Sequence, residues 1–512
     1  EAGEGEAGEG EAGEGEGGER PVVLVEPYER RAAGPYPQDA LRVNPVRFTP
    51  MQVEALRAAM SAGLSLVVGP PGTGKTDTAV QAVSNLLHAY PRQRTLVITH
   101  SNQALNDVFE KLLLRDVDER HLLRLGHGEE LLATERDFSR RGRVNYMLGR
   151  RLELLARVEA LAKSLDVPAD VGYTCETAGY FFKATVAPRW EAFEAEARRA
   201  GDEEGAVERH FPFSDFFADT PSPLFAPAAS GAAHLDAARG AWRHVVALFE
   251  ELEECRAFEL LRSSYDRGNY LLTKHAKVVA MTCTHAAIKR KDLVSLAFQY
   301  DNLVMEEAAQ IMEVEAFIPM VLQNPDTATG KSRLKRVLLI GDHHQLPPVV
   351  KNLAFQKYSR LDQSLFTRLV RLGVPATQLD FQGRARPAIA NLYRWRYTSL
   401  GDLPGVLAPD GPHALAVPGF RHDFQLVHVA DPQGVGESTP LPHYVQNLAE
   451  AEFVVATYMY MPATQPPRAT GWCGSTSRAA SATSRSTASA RPWRPPPTTI
   501  CTCWGLRLEP PC

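Results

Sequence analysis

The stretch Gly69-Pro70-Pro71-Gly72-Thr73-Gly74-Lys75-Thr76 restricts the possible folds more than any other part of the chain. It fits G-x-x-x-x-G-K-[ST], follows directly on the apolar run Leu64 to Val68, and leads into helical spacing from about Thr76 to Leu87. Glycines at these positions let backbone N–H groups turn inward around phosphate oxygens, and the start of the helix adds a favourable field for negative charge. Lys75 is then placed to reach the β and γ phosphates, and Thr76 to ligate magnesium. A lone lysine or a lone glycine turn carries no such meaning. The strand before and the helix after supply it, and the implied cofactors are ATP and Mg2+.

Such a loop needs a carboxylate near the metal and another to orient an attacking water, both at the end of a neighbouring strand. Val304-Met305-Glu306-Glu307-Ala308-Ala309 offers the pair, with Glu306 as the metal carboxylate and Glu307 as the general base. Two acidic residues at a helix start also satisfy the helix dipole without any chemistry, so the phosphate loop is what gives them this reading. The next apolar run ends in Gly341-Asp342-His343-His344-Gln345-Leu346-Pro347-Pro348. There Gln345 is the expected γ-phosphate sensor, because an amide both donates and accepts hydrogen bonds. The adjacent His343 and His344 point in different directions and lack ligand-spaced partners, which argues against a metal there.

Short apolar runs alternate with amphipathic segments from Phe48 onward, the pattern of a parallel sheet covered on both faces. Strands are expected at Leu64 to Val68, Thr95 to Thr99, Val278 to Met281, Asn302 to Met305 and Val337 to Ile340. Nearly 180 residues separate the second and third of these, far more than a strand-to-helix connection needs. An insertion spanning 105–275 is therefore expected, with a helical arm at Arg143 to Leu165 and Ala237 to Leu261 and an irregular stretch from Phe211 to Pro227. A second α/β unit is expected over 375–461, with Asn391 to Tyr397 helical, Asp423 to Ala430 a strand and Leu448 to Tyr460 a helix. The first lobe then covers 48–374.

The ends have a different character. Residues 1–19 repeat EAGEG, too poor in apolar side chains to offset ordering entropy, and 20–47 form a proline-rich lead-in with a strand expected near Val22 to Val25. Residues 462–512 are Ser, Thr, Ala, Arg, Pro, Cys and Trp without a period of either kind, reading as a disordered tail of out-of-frame or alternatively spliced origin. Four of the seven cysteines fall in that tail, and the other three, Cys175, Cys255 and Cys283, have no paired spacing, so neither a zinc site nor a disulfide framework is expected. The net charge of −5 confines any nucleic-acid contact to a local groove. No apolar run is long enough to span a membrane.

The order of the motifs resembles superfamily 1 helicases of the branch that includes the nonsense-mediated-decay helicase. The resemblance is carried by the phosphate loop, the Glu306-Glu307-Ala308-Ala309 box, Gly341 to Pro348, and Gln382-Gly383-Arg384-Ala385-Arg386-Pro387. It implies a RecA-like P-loop NTPase lobe, α/β in class, with a large mainly helical insertion and an incomplete second RecA-like lobe. It also implies that Gln52, in Phe48-Thr49-Pro50-Met51-Gln52, reads the adenine, and that Arg384 reaches the γ-phosphate as an arginine finger. His100, Ser101 and Asn102, with Thr282 and Thr284, match segments that grip the sugar-phosphate backbone in such motors. Two departures stand out: Glu306 where the family usually has aspartate, and Gly383 where many relatives place an aromatic residue. Phe138-Ser139-Arg140, Gly142 to Tyr146 and Thr174 to Phe182 narrow the resemblance to intron-binding spliceosomal RNA helicases. That implies a nuclear ATPase acting on single-stranded RNA, a pre-mRNA intron, among spliceosomal proteins. The rival expectation is a nucleotide-binding scaffold that hydrolyses nothing, since no Asp-x-x-Gln-Gly or Ser-Arg-Ala box follows Tyr460 in a helicase context.

Overall fold

A computed structural model describes residues 34–463 apart from 40–43, 129–131, 133, 135, 201–204, 227–229, 326–328, 410, 412–419, 421, 430–433, 435 and 442–443. The expectations for 1–19, for a strand at Val22 to Val25 and for the tail beyond Ala463 lie outside the described residues. The chain divides into two compact units, one holding Leu148–Leu260 and one holding Val43–Met147 with Leu261 onward.

The second of these is built on a parallel sheet. In chain order come α1 (Pro50–Met60), β1 (Gly63–Val68), α2 (Lys75–Ala89), β2 (Thr95–Thr99), α3 (Asn102–Leu113), β3 (Leu122–Arg124) and the start of α4 (Arg140–Ser164), which from Leu148 on belongs to the other unit. Helices α5 (Cys175–Phe181), α6 (Ala187–Ala200), α7 (Ala206–His210) and α8 (Gly231–Leu260) belong to the other unit. The sheet resumes through α9 (Ser264–Tyr270), β4 (Val278–Thr282), α10 (Cys283–Ser295), β5 (Asn302–Met305), α11 (Glu313–Met320), β6 (Arg336–Gly341), α12 (Leu353–Ser359), α13 (Leu365–Arg371) and β7 (Ala376–Gln378). The order across it is β3-β4-β2-β5-β6-β1-β7, with every neighbouring pair parallel. Parallel pairing puts every carboxyl end at one edge, and in open sheets of this kind that is where ligands bind.

The strands are apolar on both sides because both faces are covered. Val67, Val97, Val304, Leu338 and Ile340 join a core with Ala79, Val80 and Val83 of α2 and Leu105, Val108, Phe109 and Leu112 of α3. The alternate residues Leu66, Leu96, Ile98, Leu303, Met305 and Leu339 are equally buried. Phe109 is fully enclosed and meets Phe138 edge-on at 5.0 Å between ring centroids. The start of helix α1 is set by a capping box of Thr49 and Gln52, with Pro50 in the first turn.

The helical unit is held by aromatic stacking and ion pairs. Trp190 and Trp242 stack at 4.9 Å, Phe182 and Phe213 lie nearly parallel to Trp242 on further contacts, and Arg150 and Arg151 pair with Glu251 and Glu259 of α8. The expected helices at 143–165 and 237–261 are α4 and α8, and the stretch 211–226 is irregular, with one short 3-10 turn at Asp215–Phe217. Among the described residues no helix is long and apolar enough to cross a membrane.

Three local expectations need correction. Leu122–Arg124, inside the expected insertion, is an edge strand of the central sheet. Ala376–Gln378, inside the expected second lobe, pairs with β1. Asp423 to Ala430 is not a strand: its described part, 423–429, is bends and coil. The remaining elements are the short pair β8 (Phe381–Gln382) and β9 (Gly401–Asp402), α14 (Pro387–Arg394), α15 (Pro404–Leu407), the antiparallel β10 (Glu437–Leu441) and β11 (Tyr444–Asn447), and α16 (Leu448–Ala463). The expected helix at 391–397 therefore sits earlier, ending at Arg394, while the one at 448–460 is α16.

The enclosure of Phe109 gives a direct test of this core. Phe109→Ala should lower stability by about 3–5 kcal/mol, the usual cost of a large aromatic removed from a packed interior, measured by denaturant unfolding. A loss below about 1 kcal/mol would contradict the packing described.

Candidate nucleotide site

The loop between β1 and α2 takes its shape from two glycines in left-handed backbone, Gly72 at φ 77° and Gly74 at φ 76°. A Cβ at Gly74 would come within 2.7 Å of Gln52 Nε2, and one at Gly72 within 2.7 Å of Arg384 Cβ. Both positions therefore need glycine for conformation and for space. The loop is tied on three sides. Gly69 N–H donates to Gly341 O at 2.9 Å, Gln52 Nε2 donates to Thr73 O at 2.9 Å, and Gly383 N–H donates to Gly72 O at 2.9 Å. The Thr73 hydroxyl closes the turn on Pro70 O at 2.8 Å. Pro71 is partly exposed on the same turn.

Within this frame Lys75 Nζ donates to Gly69 O at 3.0 Å and lies 3.8 Å from Glu307 Oε1. The Thr76 hydroxyl donates to Glu306. Glu306 follows β5, its N–H bonded to Ile98 O of β2, and its side chain is 2% exposed. Burial pushes its pKa up to about 7, against the Thr76 hydrogen bond, and the neighbouring Glu307 carboxylate pushes the same way. Glu307 occupies left-handed backbone at φ 53°, an unusual conformation for a residue with a side chain, and accepts from Gln310 Nε2 at 3.2 Å.

At the end of β6 the buried Asp342 organises the next loop. It accepts from Gln345 Nε2 at 2.6 Å, from the Tyr397 hydroxyl at 2.6 Å and from His344 N–H at 3.0 Å. Burial and this carboxylate together raise the Tyr397 phenol well above its ordinary value. Beside the loop opens a cavity of about 500 Å³, lined by His343, Gln345, Lys357, Arg360, Arg371 and Arg396 among others. Arg384 is placed by Gln382, which is fully buried: its Oε1 accepts from the N–H groups of Arg384 and Ala385, and its Nε2 donates to Asp402.

The expected phosphate loop, acidic pair and arginine loop thus meet at one sheet edge. The Gln52 amide holds the phosphate loop through Thr73 O, and its Oε1 accepts from Thr49 N–H at 2.7 Å, so its polar groups serve the fold first. His100, Ser101, Asn102 and Thr284 are exposed after β2 and β4, whereas Thr282 is buried. The hydroxyls of Ser101 and Thr282 cap α3 and α10. Three residues of the site were not singled out from sequence: Asp342, Tyr397 and Arg124. Arg124, fully buried at the end of β3, donates to Asn106 Oδ1 and Asn102 Oδ1, both at 3.0 Å, and fixes the start of α3. An arginine inside the short apolar run Leu122-Leu123-Arg124-Leu125 was the available signal.

The Glu306 shift has a consequence for stability in the absence of nucleotide and metal. Its folded value is raised above the 4.5 of a free carboxyl, so holding it neutral stabilises the fold fully below about pH 4.5, and that contribution is lost as pH rises through about 7. Glu306→Gln keeps the acceptor for Thr76 and cannot ionise. At pH 8 the variant should be more stable than the parent by on the order of 1–3 kcal/mol, with the difference vanishing at pH 4.5, read from denaturant unfolding at both pH values. Equal stabilities at pH 8 would count against this burial.

Comparison with known proteins agrees with the geometry. The mouse (Mus musculus) RNA helicase aquarius is 57% identical over 451 residues, covering 86% of this chain and 30% of that protein. The pre-mRNA-splicing factor cwf11 of Schizosaccharomyces pombe is 27% identical over 415 residues, covering 80% of this chain and 31% of that protein. A regulator of nonsense transcripts 1 homolog from Arabidopsis thaliana is 37% identical over 121 residues, 23% of this chain and 8% of its own. The chain spans about three tenths of the length of the first two. The family model for an AAA domain matches residues 47–209 and 234–353, the stretch that carries the phosphate loop, the acidic pair and the β6 loop, and the chain belongs to that family.

Proposed function

We propose that this chain is the ATP-hydrolysing part of an RNA helicase or RNA–protein remodeller that acts in pre-mRNA splicing, in the nucleus. The observation that carries the reading is the meeting of Thr76, Glu306, Glu307 and Lys75 at the ends of β1 and β5, with the Arg384 loop against the phosphate loop. The relatives described as an RNA helicase and as a pre-mRNA-splicing factor support the choice of RNA and of splicing.

The residues divide the work by chemistry. Gly69 to Gly74 present backbone N–H groups to the phosphates, and Lys75 leaves the Gly69 carbonyl to meet the β and γ oxygens. Thr76 and Glu306 supply hydroxyl and carboxyl oxygens in mutual contact, a hard donor set of the type Mg2+ takes. Bound there, magnesium supplies charge neutralisation to the phosphate tail. Glu307 accepts the proton of the attacking water, and its left-handed backbone holds the carboxylate beside Lys75. Gln345, anchored by Asp342, senses the γ-phosphate, and Arg384 offers charge from the opposite side. His100, Ser101, Asn102 and Thr284, with Thr282 shaping the loop, contact the backbone of single-stranded RNA. Spliceosomal proteins are the proposed assembly partners.

ATP hydrolysis with and without single-stranded RNA tests the reading. RNA should stimulate turnover, Glu307→Gln should lower it by at least about 100-fold while nucleotide still binds, and Lys75→Ala should lose nucleotide binding as well. Turnover unaffected by Glu307→Gln would remove Glu307 from the chemistry. Nucleotide binding without any turnover would favour a scaffold role instead.

A further inference from the structure

Three potential metal ligands converge on the same sheet edge, away from the phosphate loop. His100 follows β2, Cys283 is the first residue of α10 after β4, and Glu315 lies in the first turn of α11 after β5. Strands β4, β2 and β5 are adjacent, and the register pairs Thr99 with Thr282, which sets His100 beside Cys283. Helix α10 packs on α11 and brings Glu315 to the pair. One donor atom from each residue lies within 4.8 Å of the other two, and Cys283 Sγ is 3.8 Å from Glu315 Oε2.

We propose that His100, Cys283 and Glu315 form a zinc site with an open fourth position. A thiolate, an imidazole and a carboxylate are the ligand types zinc takes, and three protein ligands plus water is the arrangement of its non-structural sites. Ligands at about 2.0–2.3 Å in a tetrahedron stand about 3.5 Å apart, so the present spacing closes with about 1 Å of side-chain movement. The charges balance: thiolate and carboxylate against Zn2+, with neutral imidazole. Binding releases the thiol proton to solvent. Burial and Glu315 hold the Cys283 thiol up at about 11 without metal, but the hydroxyl and N–H of Thr284 at the head of α10 favour the sulfur anion. His100 is exposed and Glu315 half-buried, which leaves a path from solvent.

Cobalt(II) titration of the full chain tests this, with the thiolate-to-cobalt charge-transfer absorption and tetrahedral d–d bands as readout. One equivalent should produce both features. Cys283→Ser should abolish the charge-transfer band, while Cys501→Ser and Cys503→Ser, which alter other cysteines of the chain, should leave it. His100→Ala, at an exposed position that does not touch the core, should weaken cobalt affinity at least about tenfold, as should Glu315→Gln, and excess zinc should displace cobalt. An unchanged spectrum in Cys283→Ser, or unchanged affinity in His100→Ala, would overturn the site. Metal binding is measured here without nucleotide or RNA, so its failure is separable from failure of the helicase reading; with zinc bound, His100 is a metal ligand and the RNA contact falls to Ser101, Asn102 and Thr284.

Discussion

The geometry of the site depends on how the backbone of Gly69 to Gly74 is held. A loop that turns N–H groups toward a ligand has given up its own hydrogen bonds, so its remaining polar groups must be satisfied from elsewhere. Three distant segments do so here: Gly341 at the end of β6, Gln52 in α1 and Gly383 after β8. Two of these ties also place a side chain of the candidate site. Gly341 precedes Asp342 and Gln345, and Gly383 precedes Arg384. The ties that shape the phosphate loop therefore also set where the Asp342–Gln345 loop and the Arg384 loop begin.

Glycine is required on both sides of these ties. The clearance at Gly72 is set by Arg384 Cβ, and the clearance at Gly74 by the Gln52 amide. A side chain at either position would displace the segment opposite it, so the pattern G-x-x-x-x-G-K-T reports on α1 and on the chain after β8 as well as on phosphate chemistry. The buried Gln382, with four polar contacts, plays the matching part for the arginine loop. Neither glutamine needs to touch a ligand to control where Lys75 and Arg384 stand.

Much of this was legible in the chain because apolar runs and turn chemistry are local. Thr95–Thr99 and Asn302–Met305 are strands at the bounds their composition indicates, since an apolar run of this length is too short for a buried helix and fits a strand covered on both faces. Leu122–Arg124 and Ala376–Gln378 escaped notice because three residues carry no period, and Ala-Thr-Gln carries no apolar signal either. Asp423 to Ala430 looked like a strand because Phe424 and Leu426 alternate with polar residues. Both are exposed, and a strand exists only where a ladder receives it. In the site, motif residues were readable by type and order. The contact of Tyr397 with Asp342 was not, because a pair 55 residues apart leaves no local mark.

On the proposed reading, the acidic pair favours a phosphate tail that arrives with its counter-ion. Lys75 lies 3.8 Å from Glu307, and Glu306 beside it is buried to 2% exposure. Placing a polyphosphate against two ionised carboxylates and one lysine would add repulsion in a region of low dielectric, where charges are weakly screened. In the absence of a divalent cation Glu306 reduces this cost by holding its proton to about pH 7. A divalent cation, as the largest local charge, reverses the preference and favours the ionised form. On the reading proposed above, burial of Glu306 would make the acceptance of phosphate and of metal mutually dependent, each lowering the cost of the other. From the end of β5 the Glu306 carboxyl reaches the Thr76 hydroxyl at the start of α2.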